Sequence, residues 1–255
     1  MNTLDRRDFM TLALAASAAA ALPAFARTRR RAADTYFDVV PIGDKGNAFA
    51  ILGEGGNSLL INDGKSSLLI DCKNGPFGQV LLDDIRKLGA GDNLTVINTH
   101  HHGDHTAGNL AFKDAAEIIA HENAIPRIDA NMDWYRSMGE QAVRQIDQMP
   151  DDKRAMAEAA VMAYAEKLGD MTPAMFAPET PVLEPQEFVA CGSIELELYR
   201  MGKGHTDNDL VIYCRELNLV HTGDLVFNGV NPYMDADGGC DPRHRVNVPR
   251  NIQHL

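Results

Sequence analysis

The chain lacks an excess of positive charge, a disulfide framework, a membrane-length apolar run and any internal repeat. Lys and Arg number 24 against 36 Asp and Glu, a net charge of −12. That balance argues against nucleic acid as a partner. The four cysteines, Cys72, Cys191, Cys214 and Cys240, show none of the regular spacing of a disulfide-stapled domain. The longest N-terminal apolar run, residues 11–22, is too short to cross a bilayer. No low-complexity linker divides the chain.

What the N-terminus does contain reads as an address. Arg6 and Arg7 form a twin-arginine pair, the alanine-rich run follows, and Ala24-Phe25-Ala26 is a small-x-small cleavage site. Residues 1–26 are therefore expected to be a twin-arginine signal peptide and 27–35 a flexible leader. The twin-arginine export machinery becomes an expected partner, and the mature protein is expected in the periplasm or outside the cell. Removing 26 of 255 residues leaves 229, enough for one domain with a full core, expected over residues 36–255. Asp5 and Asp8 cancel the two arginines, so the mature chain keeps its net charge of −12.

Residues 36–42, 48–52, 58–61 and 67–71 are strand-like, with Asn62-Asp63-Gly64 marking a hairpin between the last two. Residues 76–88 carry apolar side chains at helical spacing, and 94–98 reads as a buried strand. Helix is expected at 107–115 and strand at 117–120. A helical insertion covers about 122–178, with Asp151-Asp152 capping a helix to about Leu168. Met132, Trp134, Tyr135 and Met138 in that insertion would suit an apolar substrate wall, or else a helical pair packed on the sheet. Strands resume at 187–191, 194–200, 209–214 and 217–221. This order predicts an α/β (α+β) sheet structure covered by helices.

The strand at 94–98 runs into Thr99-His100-His101-His102-Gly103-Asp104-His105. Here three imidazoles and a carboxylate, on His100, His102, Asp104 and His105, fall within six residues on a loop leaving a strand. A tight loop turns them inward together. Imidazole nitrogen with carboxylate oxygen suits zinc, with iron or manganese also compatible. His205 and Asp224 close two later short elements, at Gly202-Lys203-Gly204-His205 and Thr222-Gly223-Asp224.

Together these motifs resemble the metallo-beta-lactamase-fold hydrolases, over about residues 36–235. The resemblance implies a four-layer αββα sandwich and a centre for two metals. It implies His100, His102 and His205 on the first metal, Asp104 and His105 on the second, and Asp224 bridging them, as in the glyoxalase II-like branch. Asp71, at the end of its strand, would orient ligands from behind. Asp at position 224 weighs against those class B lactamases that carry Cys or Ser there.

One family feature is missing. The last metal-binding His, expected in a Pro-Gly-His-Gly-like turn some tens of residues after the bridging Asp, is absent. His244 and His254 remain as candidates for the sixth ligand. A reading frame ended early is the alternative, and it would leave the sandwich incomplete at its C-terminus.

The implied activity is hydrolysis of an ester, thioester, lactone or amide-like bond in a small-molecule substrate by a zinc-bound hydroxide. Asp104 or Asp224 would act as general base, with no Ser or Cys nucleophile. Lys203, two residues before His205, would bind a substrate carboxylate or else be solvated. His101 would point away, and His121 and His221 would be structural. Three competing readings are a true class B-like beta-lactamase, an iron-dependent oxygenase and a truncated non-catalytic metal-binding protein.

Overall fold

The structure, a computed structural model, describes residues 34–253. The expected signal peptide, most of the leader and His254 lie outside them. Two sheets form. The first has seven strands in chain order: β1 (Asp38–Ile42), β2 (Ala48–Leu52), β3 (Ser58–Asn62), β4 (Ser66–Ile70), β5 (Asn93–Ile97), β6 (Ala116–His121) and β7 (Thr180–Val182). The second has four, in the order β11 (Leu219–His221), β10 (Leu210–Cys214), β9 (Ile194–Arg200), β8 (Gln186–Cys191).

The β1–β4 stretch is an antiparallel meander, and β4 to β7 is parallel. Parallel strands need crossovers and are covered on both faces, so they read as continuous apolar runs. Residues 67–70 of β4 are accordingly all buried. Asp63 fixes the hairpin between β3 and β4: its Oδ1 accepts from Lys65 N at 2.9 Å and Ser66 N at 2.8 Å, and Gly64 adopts φ +90°.

The sheets pack face to face. Leu59, Ile61, Leu68, Ile70 and Ile97 of the first meet Leu196, Leu198, Leu210 and Ile212 of the second, all buried. Each such side chain contributes roughly 1.5–3 kcal/mol over exposure. The outer face of the first sheet carries α1 (Gly78–Lys87) through Val80, Leu81 and Ile85. It also carries the insertion, which forms α3 (Ala124–Ala130), α4 (Met132–Gln145) and α5 (Asp151–Glu166). A very short α2 (Gly103–Thr106) holds the His-rich motif.

The fourth layer is thin. It consists of α6 (Pro242–Arg245) and α7 (Val248–Ile252), which bring Val248 onto Val211 and Leu225. Residues 240–252 thus pack as part of the domain. Asp241 caps α6 by accepting from Arg243 N at 2.9 Å. Among the described residues no helix is long and apolar enough to cross a membrane.

Three expectations change. The helix expected over 107–115 is a single short turn at Ala107–Ala111. β7, three residues containing Pro181, was not anticipated. Met132 and Tyr135 are not substrate wall: both are buried, and the Tyr135 hydroxyl bonds that of Thr106 beneath the ligand loop. Trp134 lies so close to Gly103 that a Cβ there would come within 2.0 Å of its ring.

Candidate metal centre

The centre forms where the C-terminal ends of β4 and β5 meet the start of β10. Leu210 N donates to Thr99 O at 2.8 Å, joining the two sheets there. His100, His102 and His205 offer one ligand atom each, all within 4.8 Å of one another. His100, His105 and Asp224 do the same. The two groups share His100 and so form one compact cluster.

Asp224 faces both groups. Its Oδ1 lies 3.4 Å from His105 Nε2, and its Oδ2 lies 3.6 Å from His205 Nε2. Asp104 stands at the edge, with Oδ2 3.7 Å from His105 Nε2 and one third of its side chain exposed. Lys203 is exposed on the loop before His205, and among the described residues no hydrogen bond or ion pair ties its ammonium to the cluster. Its carbonyl accepts from Asp241 N at 3.2 Å.

Each ligand ring is oriented from behind. Asp71 is fully buried at the end of β4, in a left-handed conformation (φ +62°). Its Oδ1 accepts from Thr99 N at 2.8 Å, and its Oδ2 accepts from Thr99 Oγ1 at 2.8 Å. His105 Nδ1 lies 2.7 Å from the same Oδ2. Thr99 Oγ1 is also 3.0 Å from His100 Nδ1. These partners place a proton on Nδ1 of both rings, directly for His105 and through the Thr99 hydroxyl for His100. Both Nε2 atoms are thereby turned into the cluster.

His205 Nδ1 is held by Tyr233 O at 2.9 Å, which leaves its Nε2 3.0 Å from His102 Nδ1. His102 Nε2 lies 2.8 Å from Asp235 Oδ2. His102 therefore faces the cluster through Nδ1, while the other two rings use Nε2. Asp209 fixes the loop before β10 by accepting from His205 N at 2.7 Å and Thr206 N at 3.0 Å.

The donors fit a metal. His100 Nε2 and His105 Nε2 are buried and make no hydrogen bond among the described residues, an expensive state for polar nitrogen. Burial, reinforced by the neighbouring imidazoles, holds His100 well below its ordinary pKa, and burial lowers His205 to about 4. Both rings are thus neutral and ligand-ready at pH 7. Burial also disfavours charge on His105, but Asp71, Asp104 and Asp224 outweigh it and hold that ring well above the usual value. Asp224 resists burial in the same way: the imidazoles of His105, His205 and His102 keep its carboxyl far below the carboxylate range.

His101 turns away from both groups. Its Nδ1 lies 2.9 Å from Asn208 Nδ2, and its Nε2 is 3.6 Å from Asp235 Oδ2. With His102 and Asp235 it makes a third set of donors within 4.8 Å. His102 Nε2 already spends its bond on Asp235, so this carboxylate serves to orient His102. His121 accepts from Asn123 N at 3.0 Å, away from the cluster. His221 is partnered at both nitrogens, by Asn57 O at 3.1 Å and Gly223 N at 3.2 Å.

The expectation of a sixth ligand from the tail is corrected for His244. Its Nε2 bonds Met201 O at 2.7 Å, behind the loop that carries His205, and it joins none of the donor groups. The tail contributes support instead. Arg245 is buried and its Nη2 reaches Asp224 O at 3.3 Å and Leu225 O at 3.4 Å.

Thr99, Asp209, Tyr233, Asp235 and Arg245 escaped the sequence reading. Only Asp209 carried a signal, as the acid closing the Thr206-to-Asp209 turn. The others act across long sequence separations or through backbone atoms.

The sequence matches the metallo-beta-lactamase superfamily over residues 51–249. Among solved structures, DIM-1 metallo-beta-lactamase superposes with a TM-score of 0.54 at 16% identity, covering 85% of this chain and 83% of that one. A metallo-beta-lactamase from Pontibacter korlensis gives 0.55 at 14% identity, covering 86% and 85%. TMB-1 gives 0.55 at 17% identity, covering 86% and 84%. At such identities the likeness is one of fold. Among curated proteins none matches the chain.

Proposed function

The chain belongs to the metallo-beta-lactamase superfamily, and we propose that it is a metal-dependent hydrolase of ester, thioester, lactone or amide-like bonds in small molecules. The observation that carries this reading is the convergence of His100, His102, His105, His205 and Asp224, with the buried Nε2 atoms of His100 and His105 making no hydrogen bond among the described residues. Nitrogen and carboxylate donors in two overlapping groups suit two zinc ions, and iron or manganese also fit the donor set.

When bound, the metals would supply Lewis acidity at the carbonyl oxygen and a water acidified toward neutral pH. The protein's own residues do the rest. His100, His102 and His205 would hold the first metal, His105 and Asp104 the second, and Asp224 would face both. Asp104, partly exposed at the mouth, would take the proton from the reacting water. Asp71, Thr99, Asp235 and the Tyr233 carbonyl keep the rings aimed, so little reorganisation accompanies the reaction. Lys203, on the adjoining loop, is offered as a substrate-carboxylate contact.

We further propose export by the twin-arginine route and action in the periplasm, on the strength of Arg6-Arg7 and the alanine-rich run after them. Net charge −12 supports small molecules over nucleic acid as ligands.

The test is turnover by metal-replete protein over a panel of esters, thioesters, lactones and lactams, nitrocefin included. Activity that disappears in both His105→Ala and Asp224→Ala supports the hydrolase reading. Inertness across the panel, with metal bound, overturns it.

A further inference from the structure

Lys73 is fully buried, and lysine is almost never found so without a partner. Its partners are two carbonyls: Nζ donates to Ile51 O and to Gly56 O, each at 2.6 Å. The Phe37 ring lies 5.4 Å from the ammonium. Lys73 is left-handed at φ +70°, two residues after left-handed Asp71. Two such non-glycine residues in one turn are strained and persist where surrounding contacts enforce them.

Residues 53–56, in the segment joining β2 to β3, lie directly on two of the candidate ligands. Gly56 N donates to Asp104 O at 3.1 Å. A Cβ on Gly55 would come within 2.7 Å of Asp104 O, and one on Gly56 within 2.2 Å of His105 Cε1. Only glycine backbone fits against that imidazole. The turn holding Lys73 grips the other side of α2: Cys72 N donates to His105 O at 2.7 Å, and Gly108 N donates to Lys73 O at 3.1 Å. Asn74 N donates back to Glu54 O at 3.1 Å. The ammonium therefore bridges the two backbones that enclose Asp104 and His105.

We infer that Lys73 is a positioning residue for the second-metal side of the centre, clamping the glycine loop 53–56 against Asp104 and His105. An apolar side chain would fill the same space without the desolvation cost of a buried ammonium. Of the two carbonyls Lys73 holds, that of Gly56 lies in the loop against His105, and that of Ile51 anchors the start of the same loop at the end of β2. His102 and His205 are held independently, by Asp235 and Tyr233 O, and His100 by the Thr99 hydroxyl. Burial lowers the Lys73 ammonium to about 7, with Asp71, Asp104 and Glu54 opposing that fall. The inference rests on reading Asp104, His105 and Asp224 as holders of a second metal.

The experiment is a stepwise cobalt(II) titration of the purified chain, followed by absorbance and calorimetry, with Lys73→Met and Lys73→Gln beside the wild type. The expected result is two ions per wild-type chain. Lys73→Met keeps the first affinity within about threefold and loses roughly tenfold or more in the second. Lys73→Gln falls between, because its amide can donate to one carbonyl. If Lys73→Met does not fold, Lys73→Gln carries the comparison. General loosening would weaken both affinities alike, so the ratio of the two is decisive. An unchanged ratio in a folded variant overturns the inference and leaves the metal reading intact. Uptake of one ion or none by the wild type overturns both. Failure of both variants to fold overturns positioning in favour of a structural role.

Discussion

Replacing Asp71 with Asn changes one heavy atom and reverses the proton logic of the centre. Oδ1 of Asp71 accepts from Thr99 N, a group that only donates. An Asn at this position must therefore keep its carbonyl oxygen there, and its NH2 takes the place of Oδ2. That NH2 then faces His105 Nδ1 and Thr99 Oγ1, the two groups that Oδ2 now serves. His105 must accept at Nδ1 and carry its proton on Nε2, where it points at the metal position. Thr99 Oγ1 becomes an acceptor of the amide, and its own hydrogen turns toward His100 Nδ1, which moves the His100 proton to Nε2 as well.

Loss of such an orienting partner costs about 10–100-fold in metal affinity, or roughly 1.4–2.7 kcal/mol. The second metal should lie at the upper end, because His105 is affected directly. The first should lie at the lower end, because His100 is affected through a hydroxyl that can rotate. The fold should survive with a loss of about 1–2 kcal/mol, since shape and the Thr99 N bond are kept. Stepwise cobalt(II) calorimetry with a parallel urea melt reads all three quantities. A folded Asp71→Asn protein that binds both metals within about twofold of wild type would refute the tautomer argument.

Further outcomes follow from the same contacts. Asp235→Ala removes the partner of His102 Nε2 and should weaken the first metal by roughly tenfold with the second nearly unchanged, read in the same titration. Lys73 has a folded pKa near 7 against an ordinary 10.5, so its burial penalty is full below pH 7 and is relieved as pH rises toward 10.5. Wild-type stability should therefore rise relative to Lys73→Met between pH 7 and 10, by about 3–4 kcal/mol. Asp71, Asp104, Glu54 and Cys72 face that ammonium and already hold it above the value that burial alone would give. Urea midpoints across that range check it, and a flat difference contradicts it. Chelation should lower the melting temperature reversibly, by removing the roughly 3–4 kcal/mol of stability that metal at 100 to 1,000 times Kd confers. Calorimetry before and after adding metal back reads this, and a melting temperature indifferent to metal counts against a resident ion.

How much of this was legible in the sequence follows from the range of each interaction. The His100-to-His105 motif is local, and a strand leading into a tight loop left it little freedom. The hairpin at Asn62-Asp63-Gly64 is local too. His205 and Asp224 were visible as polar residues closing short apolar elements, helped by the family resemblance. Asp235 was invisible because it meets His102 across 133 positions from an irregular loop. Lys73 looked like any surface lysine, since nothing in Cys72-Lys73-Asn74 tells that two carbonyls wait at the end of its stem. Tyr135 read equally well as a lid or as core. Only packing against Thr106 decides for core. The tail from Cys240 onward gave no periodic pattern, yet Arg245 and Val248 bury it against the loop after Asp224.

If this cluster is a metal centre, the metal content of each chain will show it. Purified protein is dialysed free of loose ions and measured by elemental mass spectrometry, with His105→Ala beside it. Close to two ions per wild-type chain and about one in His105→Ala are expected. A wild-type chain without bound metal after metal-replete preparation, or a content that His105→Ala leaves unchanged, would contradict that expectation.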